Sequence, residues 1–182
     1  MSDDGKILIG RQDQTTVLKL CGEIRVTLGP TIVRFLSTLG NQRTMTDMVV
    51  DLRETKFIDS TGLGVLAKIS LVFENLTGRR PTLVCPDPDI NEILHAMGFR
   101  DIFVLVTDLA LVTTDGIELP TEQTSEEELR RQVIEAHRVL MGLNEENEMV
   151  FKDLVEALEE EDQKNMSQGE RASTTSQVAG AS

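Results

Sequence analysis

The chain has no tryptophan and no tyrosine among its 182 residues. Its core must therefore be aliphatic, with Phe35, Phe57, Phe73, Phe99 and Phe103 as the large members. Cysteine is scarce too. Cys21 and Cys85 both fall in β-type runs, so two buried, reduced thiols are expected rather than a disulfide. No apolar run approaches the roughly 18 residues that a bilayer-spanning helix needs. The opening Met1-Ser2-Asp3-Asp4-Gly5-Lys6 is polar and acidic where a signal peptide would be basic and then apolar, so cytoplasmic residence without a membrane partner is expected. Basic residues number 18 against 31 acidic ones. With no basic stripe to displace counterions from phosphates, no nucleic-acid partner is expected. The two histidines, His95 and His137, and the two cysteines lack metal-ligand spacing, so neither metal nor cofactor is expected.

What is present is an ordinary apolar content of 40% and an uneven charge. Met1–Thr114 carries 12 basic and 14 acidic side chains and is close to neutral. Asp115–Asp162 carries 4 and 16, and holds nearly all of the formal net charge of −13. The length suits one compact domain with an appendage.

Taken in order, Lys6–Arg11 and Thr15–Leu20 are short β-type runs joined at Asp13-Gln14 as a hairpin. Gly29-Pro30 opens a helix, with proline preset for the first turn, and Gly40-Asn41 stops it. Met48–Leu52 is a continuous apolar run broken by a single Asp, as in a strand buried on both faces. Thr61–Leu76 is a helix with Leu63, Leu66, Ile69, Phe73 and Leu76 at three- and four-residue spacing. A strand at Pro81–Cys85, a short helix at Asp89–Met97 and a strand at Ile102–Val106 follow. The order β-β-α-β-α-β-α-β predicts an α/β fold with a mixed sheet and helices mainly on one face.

This domain is expected to occupy residues 1–114, and Pro120 marks a linker over 115–124. Residues 125–162 predict an acidic helical hairpin. Ser125 with Glu128 forms a capping box at its start, and Leu129, Val133, Ala136 and Leu140 form the first helix's apolar face. Gly142-Leu143-Asn144 reads as a Schellman stop followed by a new cap. Val150, Phe151, Leu154, Val155 and Leu158 form the second helix's face. Residues 163–182, rich in Ser, Thr, Gln, Gly and Ala, predict a disordered tail.

The chemistry concentrates in Phe57-Ile58-Asp59-Ser60-Thr61-Gly62-Leu63-Gly64-Val65-Leu66, between the buried strand and the long helix. A hydroxyl there serves as an N-cap, or as a phosphate acceptor favoured by open amides and the helix dipole. Gly62-Leu63-Gly64-Val65-Leu66-Ala67, with Asp87 further on, matches a dinucleotide fingerprint in letters. In such a unit the first glycine follows the strand directly, whereas here several residues separate Leu52 from Gly62. Close backbone approach by the glycines is the simpler reading. Asp59-Ser60-Thr61-Gly62 lacks the second carboxylate that aspartic-protease chemistry needs, and no G-x-S-x-G elbow is present. A Ser60 nucleophile served by His95 or His137 is disfavoured, because each histidine reads as a surface or packing residue. No catalytic residue is expected.

These residues resemble the signature of bacterial anti-sigma factor antagonists, which are STAS-domain proteins. The resemblance runs over roughly Lys6–Leu111 and includes Gly22-Glu23-Ile24 and the Ile93-Leu94, Gly98-Phe99, Ile102-Phe103 pattern. It implies that Ser60 is phosphorylated by an anti-sigma factor that is a serine kinase of the histidine-kinase-like ATPase superfamily. It implies that the unphosphorylated form binds this kinase and frees its sigma factor. A PP2C-type phosphatase, in some cases fused to a response regulator, would restore the serine. Asp59, Ser60, Thr61, Gly62, Leu63 and Gly64 would form the docking surface. Arg25 stands where the family commonly has Asp. The appendage has no counterpart in minimal members, and three roles suit it: masking the switch surface, dimerising, or binding a response-regulator-type partner. The alternative is a STAS module acting as a fixed, unphosphorylated subunit of a transporter, a lipid-trafficking ATPase or another complex.

Overall fold

The computed structural model describes residues 5–39, 46–110 and 116–178, with side chains left undescribed beyond Ser167. The expected helix stop at Gly40-Asn41 and the domain end at Thr114 lie outside the described residues.

β1 (Lys6–Gln12) and β2 (Thr15–Ile24) pair antiparallel, with Asp13 at φ 55° in the turn between them. A single 3-10 turn leads into α1 (Gly29–Leu39). β3 spans Asp47–Ile58, longer than its apolar run, and α2 spans Ser60–Thr77. β4 (Thr82–Val84), α3 (Pro88–Ala96) and β5 (Val104–Val106) complete the α/β unit. Inside the expected linker, Ile117–Glu118 forms β6, which adds antiparallel to β1. The sheet order is β5-β4-β3-β2-β1-β6, with β2 through β5 mutually parallel.

Strand alternation sorts the apolar side chains onto two faces. Leu18, Leu20, Met48, Val50, Leu52 and Leu83 join the main core beneath the helices, with Ile32, Phe35, Leu66, Ile69, Phe73 and Leu94. The opposite face holds a small cluster of Val17, Val49 and Val84, covered by Val106 and Leu109. The main core therefore lies on one side of the sheet, as expected.

Beyond the sheet, α4 (Glu126–Met141) and α5 (Glu145–Val178) form the helical hairpin. Ser125 caps α4 by accepting from the Glu128 amide at 3.1 Å, and Asn144 accepts from the Asn147 amide at 2.8 Å. Gly142 is not the left-handed Schellman residue expected; it stays right-handed at φ −70° while its amide donates to Arg138. The helical backbone of α5 continues to Val178, into the stretch from residue 163 expected to be a disordered tail. Gln163, Lys164, Glu170, Arg171 and Ala172 are good helix formers and no proline interrupts them.

Phe57 is a further correction. It is 42% exposed rather than buried, because strand alternation turns it away from Ile58 and the core. The Arg25 guanidinium covers its ring at 4.7 Å and donates to Glu23 at 2.7 Å.

Candidate functional site

The β2–β3 pairing places the site. Register irregularities beside Lys19 and Gly22 bring Ile24 opposite Ile58, at the ends of the two strands. The Asp59 amide then donates to the Ile24 carbonyl at 3.1 Å. A β-carbon at Gly62 would lie 2.8 Å from that same carbonyl oxygen and 3.0 Å from Ile58, so only glycine lets the first turn of α2 come this close to β2.

The cap of α2 is Asp59 and not Ser60. Its Oδ1 accepts from the Gly62 amide at 2.7 Å, and its extended backbone is that of an N-cap residue. A fixed carboxylate reaches the orphan amide as well as a hydroxyl does, and its charge also suits the positive end of the helix. Ser60 is thereby displaced to the first helical position, with its hydroxyl free for another partner.

That partner is His137 of α4, whose Nε2 lies 2.8 Å from Ser60 Oγ. The His137 Nδ1 lies 2.8 Å from the Val133 carbonyl oxygen. A carbonyl only accepts, so Nδ1 carries the hydrogen, and in the neutral ring Nε2 accepts from the Ser60 hydroxyl. The edge of the ring also packs against Phe151 of α5, with centroids 5.2 Å apart. His137 is 2% exposed, so the reading of it as a surface or packing residue of an acidic appendage missed a specific bond to Ser60. A serine–histidine pair is the start of a nucleophilic dyad. Here, however, the imidazole is oriented by a main-chain carbonyl, and the ring itself covers the serine.

Of the residues expected to form a docking surface, Asp59 and Ser60 are half-buried. Thr61, Gly62, Leu63 and Gly64 are buried. Leu63 belongs to the main core, and Gly64 lies under α4. A β-carbon at Gly64 would overlap the Ala136 carbonyl and lie 2.7 Å from Ala136 Cα. Both glycine spaces are thus filled by protein. Asp87, the third part of the dinucleotide pattern, caps α3 by accepting from the Asp89 and Ile90 amides at 2.9 and 3.0 Å.

The remaining candidates sit elsewhere. Arg25 and Phe57 form an exposed cation–aromatic pair two residues from Asp59. His95 is held by Arg100, far along the sequence from the Ser60 turn. Cys21 and Cys85 are unpaired and buried, and burial pushes both thiols up from their ordinary values. Among the described residues no His, Cys, Asp and Glu group is arranged to hold a metal, and no helix is long and apolar enough to cross a membrane.

The model of the STAS domain family matches residues 6–113, which is the β-β-α-β-α-β-α-β unit with the Ser60 turn at its centre. The chain belongs to the STAS domain family. α4 and α5 lie beyond the matched stretch. No curated protein matches the chain. Among solved structures, an anti-sigma factor antagonist from Mycobacterium paratuberculosis is 24% identical, with TM-score 0.51 over 60% of this chain and 91% of that one. The anti-sigma factor antagonist SpoIIAA in its unphosphorylated form is 20% identical, with TM-score 0.47 over 57% of this chain and 89% of that one. The Bacillus cell fate determinant SpoIIAA in its phosphorylated form is 21% identical, with TM-score 0.46 over 56% of this chain and 92% of that one. The Mycobacterium likeness is one of fold.

Proposed function

We propose that this STAS protein is an anti-sigma factor antagonist switched by phosphorylation of Ser60. Unphosphorylated, it binds an anti-sigma factor that is also a serine kinase of the histidine-kinase-like ATPase superfamily, and the sigma factor is released. The kinase transfers the γ-phosphoryl group of ATP to Ser60 Oγ. The bond to the departing ADP breaks, and the hydroxyl proton passes to a base on the kinase. A PP2C-type phosphatase reverses the step by hydrolysis, giving inorganic phosphate and the free serine. The chain itself catalyses nothing in this scheme.

The observation that carries the reading is the position of Ser60. Because Asp59 takes the capping role, the Ser60 hydroxyl is not needed to hold the helix. Phosphate adds about −1.5 to −2 charges at that point. The helix dipole offsets part of that charge, and the adjacent Asp59 carboxylate adds to it. A partner packed over the turn would bury an unpaired dianion at a cost of several kcal/mol, which is a loss of affinity of roughly a hundredfold or more. Asp59 and Ser60, with exposed Arg25 and Phe57 beside them, form the first contact surface for that partner.

Incubation of the full chain with its kinase and ATP, followed by peptide mass spectrometry, should place the phosphate on Ser60. Phosphate on another residue, or none, contradicts the proposal.

One observation favours a second reading, in which the module is a fixed subunit. The Ser60–His137 hydrogen bond gives the serine a structural use. In that case Ser60→Ala costs about 1 kcal/mol of stability and leaves partner binding unchanged.

A further inference from the structure

We infer that the C-terminal hairpin is an intramolecular occupant of the Ser60 face, and that a docked hairpin and a phosphate on Ser60 exclude one another. The inference rests on the switch role of Ser60 given above and adds a second reader of the same group, supplied by the chain itself.

Three features place α4 on this face. Its backbone at Ala136 sits in the space that Gly64 leaves open. His137 takes the Ser60 hydroxyl. Glu135 pairs with Lys68, two turns along α2, at 2.7 Å. A phosphoryl group in place of the Ser60 hydrogen brings three oxygens into a gap now spanned by a single 2.8 Å hydrogen bond. The imidazole cannot swing aside within the closed hairpin, because Val133 and Phe151 hold it from its other sides.

Charge acts in the same direction. The hairpin, residues 125–162, holds 13 acidic side chains against 4 basic ones. Arg25, Lys68 and Arg138 are already engaged by Glu23, Glu135 and Glu159. A phosphate dianion beside Asp59 would therefore face a surface of its own sign.

The contact is also imperfectly satisfied. Gln132 of α4 is buried against the start of α1, and its Oε1 has no hydrogen-bond partner among the described residues. An unpaired buried carbonyl opposes closure. Ala136, Leu140 and Phe151 join the main core and favour closure, so the unpaired carbonyl lowers the stability of the docked form without cancelling it.

Hydrogen–deuterium exchange on the full chain tests the inference without any partner. In Ser60→Glu, amides of residues 131–141 should exchange about tenfold faster than in the parent chain, while β2 and β3 keep their protection. Unchanged protection of α4 overturns the inference. Ala136→Glu supplies a second arm confined to the hairpin. It should deprotect α4 with the sheet intact, and the kinase should then phosphorylate Ser60 about fivefold faster, since access to Oγ requires the open form. An unchanged phosphorylation rate in that opened chain overturns the inference as well. The two proposals fail separately. A kinase that never modifies Ser60 defeats the switch but leaves the exchange result standing. A phosphorylated Ser60 under a still-protected α4 defeats only the exclusion.

Discussion

At the scale of single residues, two carboxylates have distinct and separable duties. Asp59 holds the first turn of α2 through the Gly62 amide. Asp59→Ala should lower stability by about 1 kcal/mol in urea titration, and Asp59→Asn should recover most of it, since an amide oxygen also caps. Asp51 is 2% exposed on the opposite side of β3. Burial alone would push its carboxyl up, but hydrogen bonds from the Arg53 guanidinium and amide, with the charges of Arg53 and Lys19, hold it below its ordinary value. A carboxyl depressed in the folded state binds its proton more readily in the unfolded chain. Its contribution is therefore complete above about pH 4 and is lost as pH falls through the folded-state value. Chemical denaturation between about pH 2 and pH 6 should show a shallower acid loss in Asp51→Asn than in the parent. Equal slopes would mean that the Arg53 pair contributes nothing.

At the scale of elements, the decisive contact is between α2 and α4, and it was only partly legible in the sequence. The helices, the parallel order of the strands and the Ser60 junction follow from apolar periodicity and from the Asp-Ser-Thr-Gly-Leu-Gly string. The face that α4 presents followed only in part. Ala136 and Leu140 of the expected face are buried, but Leu129 and Val133 are only half-buried, while Gln132, Ile134 and His137 lie buried outside that pattern. Polar side chains at a helix contact carry no hydrophobic period, so Gln132 and His137 were invisible to it. That Asp59 and not Ser60 caps α2 was hidden for a related reason: both residue types cap helices, and only the path of the chain decides which one sits outside the first turn. Gly64 was legible as a close-approach residue, but nothing in the string says that the approaching backbone is that of Ala136. Gly64→Ala should consequently free α4 while leaving the sheet folded, as measured by proteolysis in the 116–124 and 142–144 connections. At the other end of α4, Asn147 donates to the Met97 and Leu140 carbonyls at 3.0 and 2.9 Å. Asn147→Ala leaves both acceptors without that donor and should cost about 1–3 kcal/mol in thermal unfolding.

At the scale of the whole molecule, a nearly neutral STAS domain carries a strongly acidic hairpin folded back on α2 at Ser60 and Lys68. In the proposed switch the sheet keeps its pairing, and the hairpin residues Ala136, Leu140 and Phe151, which join the main core in the closed form, are what must be released. Control in that switch would reside in what covers the turn at Ser60: an outside partner, the hairpin, or a phosphate. The most direct measurement is the affinity of the anti-sigma factor captured on Ser60→Ala bait for the full chain, with Ser60 free and with Ser60 phosphorylated, by titration calorimetry at one salt concentration. The account predicts binding at least about a hundredfold weaker for the phosphorylated chain. Equal affinity for the two forms would contradict it.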